Sequence, residues 1–179
     1  MDYNNIGMYK TQLHNIKSKY LFDKVILDVI SKDWSKQSIR ETTILLGFLS
    51  KLTQHKFFDE NSIKIILSNF PKVNRYYNLT DMADFISHII NSKYCYQDDI
   101  RTIYEMFAKK SVLILETIAK CKKTPEDVLI RLLYSDQYSI VAAIGKNNGP
   151  AAFELLKLPE FSERVSSAQR IIRQYNNLL

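Results

Sequence analysis

The stretch Ile118-Ala119-Lys120-Cys121-Lys122-Lys123-Thr124-Pro125 decides the architecture. It returns 25 residues later as Ala143-Ile144-Gly145-Lys146-Asn147-Asn148-Gly149-Pro150. Val128 and Ile130 follow the first copy as Phe153 and Leu155 follow the second. A period of this size implies stacked helical pairs, each burying its apolar face on the next.

The flanking residues read as helices. Val112, Leu115, Ile118 and Ala119 form a face between Ser111 and Cys121. Thr124-Pro125-Glu126-Asp127 reads as a helix start, with Thr124 as the cap. Pro125 falls where its missing N–H costs nothing, and two acids follow at the positive end of the dipole. Val128, Leu129, Leu132 and Leu133 supply that helix's face. Ser139 to Lys146 is a short apolar helix ended by Asn147-Asn148-Gly149. Pro150 opens another through Leu158, and Pro159 and Ser162 precede a last one carrying Val165, Ala168, Ile171 and Ile172.

Toward the N-terminus the helical period persists without the repeat. Leu13, Ile16, Tyr20, Leu21, Lys24, Leu27 and Ile30 line one face of a first helix. Ser38-Ile39-Arg40-Glu41 has capping-box spacing and precedes Ile44, Leu45, Phe48, Leu49 and Leu52. A short helix starts at Asn61 or Ser62 and stops before Pro71. Thr80 caps a helix with Met82, Phe85, Ile86, Ile89 and Ile90 inward, and Asp98-Asp99 opens one with Ile100, Ile103, Tyr104, Met106 and Phe107. The pattern predicts about ten helices and no strand. The fold class is all-α: a single domain over 1–179, with stacked antiparallel helix pairs from residue 96 onward and 1–90 an N-terminal helical part, a bundle being its main rival.

The stretch 111–158 resembles the variant leucine-rich repeat, a HEAT-like helical repeat of similar length. Lys120 to Pro125, Leu129 to Leu133, Asp136, and Ile140 to Asn147 carry the likeness. Cys121 and Lys122 stand where that family commonly has Asn-Pro, and Gly149 replaces a threonine. The resemblance implies an array that works as an extended recognition surface.

Composition narrows the class further. Gly and Pro occur four times each, too few for an all-β chain rich in turns. The chain is 46% hydrophobic and 25% charged, which suits a folded domain rather than a disordered tail. No run of 18 apolar residues exists, so no membrane contact is expected. The polar start Met1-Asp2-Tyr3-Asn4-Asn5 carries no apolar signal region, and a cytoplasmic location follows as an expectation. Cys95 and Cys121 read as reduced core residues. Ile, Asn, Lys and Tyr make up 62 residues, a skew of A+T-rich coding that suits a phage, viral or bacterial chain. The +6 net charge is split evenly, with 12 basic and 9 acidic residues over 1–90, and 13 and 10 over 91–179. No basic arm marks a dedicated nucleic-acid binder.

No motif organises a catalytic centre. His14, His55 and His88 lack zinc-ligand spacing, and no cofactor is expected. Asp81, Asp84 and His88 share a helix face but read as a surface ion pair. Asp59-Glu60, Asp98-Asp99 and Glu126-Asp127 each fall at a helix start, where the macrodipole accounts for them. Trp34 reads as a packing plug between two helices. A different signal comes from Lys109, Lys110, Lys120, Lys122 and Lys123, opposed only by Glu116 between 109 and 123. Lys146 lies near the repeat-equivalent place of Lys120. Equivalent positions line one edge of a stack, so these lysines form a candidate binding stripe, with Tyr134 and Tyr138 adding stacking contacts. The expectation is a non-catalytic adaptor or inhibitor that engages a protein partner. Nucleic acid is the alternative, including a HEAT-like DNA glycosylase that uses a basic face, Trp34 and a carboxylate.

Overall fold

The computed structural model describes residues 13–70 and 79–178. Met1 to Asn5 and Pro71, which served as sequence signals above, lie outside them. The described residues form ten complete α-helices, one short 3-10 turn and no strand. The helices are α1 Lys19–Ile30, α2 Ile39–Leu52, α3 Glu60–Asn69, α4 Leu79–Asn91 and α5 Gln97–Phe107. They continue with α6 Val112–Lys120, α7 Glu126–Leu133, α8 Tyr138–Ile144, α9 Pro150–Lys157 and α10 Pro159–Asn176. The chain divides into two compact units, Met1–Cys95 and Tyr96–Leu179.

In the first unit α1 packs on α2 and α3, and α2 packs on α4. Two capping boxes fix the starts of α2 and α3. Ser38 Oγ accepts from the Glu41 amide while the Glu41 carboxylate accepts from the Ser38 amide. Asp59 and Ser62 do the same for α3, so that helix begins at Glu60, one or two residues ahead of the expected start at Asn61 or Ser62. Lys19 at the start of α1 donates to Asp23 (2.5 Å), Asp59 (2.7 Å) and Ser62 (2.8 Å), joining the two helix starts. Burial pushes the Asp59 carboxyl up, but the Lys19 and Ser62 hydrogen bonds outweigh it and hold the group below its ordinary value.

The face of α1 differs from the expected one. Ser18 caps α1, so Leu13 and Ile16 precede it rather than extend its stripe. The buried set is Phe22, Val25, Ile26, Val29 and Ile30, while Tyr20 (79% exposed) and Leu27 (42%) face outward. Both sets have helical steps, and only the packing of α1 against α2 and α3 chooses between them. Thr80 lies inside α4 rather than ahead of it.

The second unit repeats one packing rule. α6 packs on α8 and α8 on α10, while α7 touches α9 across the same step. Each helix therefore meets both its chain neighbour and the helix two along, as stacked pairs do. Contacts at fixed sequence distance tie successive pairs together. Arg101 forks onto Asp127 (Nη2 to Oδ1, 2.8 Å), Arg131 reaches Glu105, and the Tyr134 hydroxyl donates to Glu160 (2.8 Å), each across 26 residues. The Arg101 guanidinium holds the Asp127 carboxyl below the usual carboxylate range, although burial opposes the shift.

Two local details depart from expectation. Thr124 does not cap α7: its buried hydroxyl donates back to the Ile118 carbonyl (2.6 Å), closing the end of α6, and Pro125 takes the cap position. Val112 is exposed and Ile114 is buried in its place, because Ser111 caps α6 and sets the phase of the helix.

Candidate functional site

The C-terminal halves of α6, α8 and α10 meet along a groove of about 370 Å³. Lys120, the last residue of α6, lines it beside Glu116. Lys146, just past the end of α8, comes next, and Arg173 in the last turn of α10 completes the row. The three cations come from three successive stacked helices, 26 and 27 residues apart. Ala142, Ala143 and Ile172 give the groove an apolar floor. Glu116 is the one acid lining it and lies 3.6 Å from Lys120.

The local fold explains why these positions carry bases. A helix C-terminus bears roughly half a negative charge, so each cation also complements the end of its own helix. Three cations and one carboxylate leave two formal positive charges. Three helix ends offset about 1.5 charges, so the groove stays positive by less than its formal charge.

Gln169 also lines this groove, and a neighbouring glycine admits it. A Cβ built on Gly145 would lie 2.3 Å from Gln169 Nε2 and 2.9 Å from Val165 Cγ1. The bare Gly145 backbone is therefore what lets the Gln169 amide lie against the end of α8.

The structure brings together only part of the expected stripe. Lys120 and Lys146 share the groove. Lys109 and Lys110 are exposed in the turn after α5, Lys122 is exposed and Lys123 half-buried between α6 and α7, and none of these four lines it. Tyr138 borders a separate groove of about 630 Å³, beside Asp136, Glu160, Glu163, Arg164 and Ile171. Tyr134 is engaged within the fold. It bonds Glu160, meets Phe161 edge to face at 6.1 Å and lies under the Arg164 guanidinium at 5.4 Å. Its hydrogen bond to the Glu160 carboxylate raises the phenol above its ordinary value. Sequence reasoning missed Arg173 and Gln169. The 27-residue step from Lys146 was a signal for Arg173, but it falls beyond the stretch that carries the repeat resemblance.

The other sequence candidates serve the fold. His88 Nδ1 bonds the Asp84 backbone carbonyl (2.7 Å) rather than a carboxylate. Asp98 and Asp127 share Arg101, and Asp59 holds Lys19. Trp34 is buried, and its Nε1 has no partner among the described residues. Among those residues no group of three or more His, Cys, Asp or Glu side chains could hold a metal ion. No helix among them is long and apolar enough to cross a membrane.

No family model matches this chain, and the comparisons with curated proteins and with solved structures found no match.

Proposed function

We propose that this chain is a non-catalytic helical-repeat binding protein, an adaptor or inhibitor that engages a protein partner through the basic groove of α6, α8 and α10. The observation that carries this reading is the convergence of Lys120, Lys146 and Arg173 over the apolar floor of Ala142, Ala143 and Ile172. A single-stranded nucleic-acid groove adds stacking aromatics to its cations, and none is among the described residues lining this one, whereas charge over an aliphatic floor suits a protein segment that has acids and apolar side chains. The cross-pair contacts at 26 residues support reading the second unit as HEAT-like or variant leucine-rich repeats, folds whose faces serve recognition. A non-catalytic role is supported by the engagement of Asp127, Asp98, Asp59 and His88 in structural contacts.

The test is a pair of binding titrations of the full chain over rising salt. One uses a labelled acidic peptide with apolar residues interspersed, the other a labelled single-stranded oligonucleotide. The protein reading expects tighter peptide binding with a shallow salt dependence. Preferential oligonucleotide binding that collapses steeply with salt would replace it with the nucleic-acid reading.

A further inference from the structure

We infer that the occupant of this groove is an extended acidic segment lying across the axes of α6, α8 and α10, with acids at every third residue. The inference rests on the proposed protein-binding role and adds the conformation and register of the bound chain.

Spacing makes the argument. Lys120, Lys146 and Arg173 belong to neighbouring packed helices. Packed helix axes lie about 8–10 Å apart, so successive cations are set at roughly that interval. An extended chain of the polyproline II kind rises about 3.1 Å per residue with three residues per turn, which puts every third side chain on one face about 9 Å apart. An α-helix rises about 1.5 Å per residue and would need about six residues for the same step.

The floor and one wall fit that occupant. The same groove is lined by Ala142, Ala143 and Ile172, small or flat enough for apolar side chains between the acids. An extended segment has no internal backbone hydrogen bonds. The Gln169 amide, held beside Gly145, has both a donor and an acceptor to offer such a backbone. Glu116 sits 3.6 Å from Lys120, so an incoming carboxylate competes with it for that lysine.

The experiment compares two labelled peptides of about twelve residues and equal composition, both kept from helix formation by proline. One has glutamate at every third position, the other has its glutamates contiguous. Binding to the full chain is read by fluorescence anisotropy, alongside Gln169→Ala and the combined Lys120→Gln, Lys146→Gln, Arg173→Gln variant. The spaced peptide is expected to bind roughly fivefold tighter, since the contiguous one leaves a cation unengaged, and exposed ion pairs differ by about that factor. Gln169→Ala should weaken the spaced peptide about two- to threefold, the share of one modest hydrogen bond. Equal binding of both peptides, lost in the neutralised variant, would overturn the extended register and leave the basic groove standing. Binding of neither peptide by the unaltered chain would overturn the acidic occupant and the protein-binding reading together. An unchanged affinity in Gln169→Ala would remove the backbone contact from the account.

Discussion

Asn147 joins the two helical pairs through Cys121: its Nδ2 donates to the Cys121 carbonyl and to the Ala119 carbonyl, each at 2.8 Å, while its Oδ1 accepts from the Gly149 amide at 2.8 Å. All three bonds are buried, and two of them satisfy carbonyls at the end of α6 that have no partner inside the helix. Asn147→Ala strands the Ala119 carbonyl and the Gly149 amide away from water, while the Cys121 carbonyl keeps its bond from the Thr124 amide (3.0 Å). It should cost about 1–3 kcal/mol, read as a lower urea midpoint with an unchanged slope.

Gly149 tests the same junction sterically. A Cβ there would lie 1.9 Å from the Lys122 carbonyl oxygen, which is backbone and cannot swing aside. Its φ of −82° is open to any residue, so no dihedral strain is involved. Gly149→Ala should therefore destabilise through overpacking alone, by about 1–3 kcal/mol. A melting curve identical to that of the unaltered chain would show that this close approach does not exist.

Acid should loosen the second unit through Asp127. Its folded carboxyl titrates below the ordinary value, chiefly because Arg101 bonds it. A group with a lowered folded pKa adds stability that is fully present above its unfolded value, about 3.9. That stability is lost as pH falls through the folded value. Asp127→Asn should lower stability at neutral pH and flatten its decline below about pH 4. Paired unfolding titrations of the two proteins read this directly.

Leu132 reports on the core. It is 1% exposed on α7, and Leu132→Ala removes side-chain volume that its neighbours cannot refill. The expected loss is about 2–5 kcal/mol, seen by thermal or urea unfolding.

Helical spacing, capping residues and the 25-residue return made the elements and the stacking legible in the sequence. Less legible were choices made by tertiary contact. Tyr20 and Leu27 are seven residues apart, as are the buried Phe22 and Val29, so period alone could not say which stripe turns inward. Thr124 has the chemistry of a cap, yet its hydroxyl finds the Ile118 carbonyl of the preceding helix, a partner six residues back that no start signal reveals. At the candidate site, Lys120 and Lys146 could be paired by repeat position. Gln169 could not, since its place depends on the missing Cβ of Gly145 in another helix.

The central claim is that the basic groove binds an acidic protein segment. The most direct measurement is binding of the spaced acidic peptide by full chains carrying Lys120→Gln, Lys146→Gln and Arg173→Gln, with melting followed on the same samples. Neutral substitutions are preferred to reversals, because glutamate at these helix ends would oppose the macrodipole and lower stability by itself. Binding at low salt should fall by at least about tenfold, while the melting temperature falls only by the few degrees that three helix-end charges, about 0.3–1 kcal/mol each, account for. Undiminished binding by the neutralised protein would contradict the account, and would leave the three cations as nothing more than complements to the ends of α6, α8 and α10.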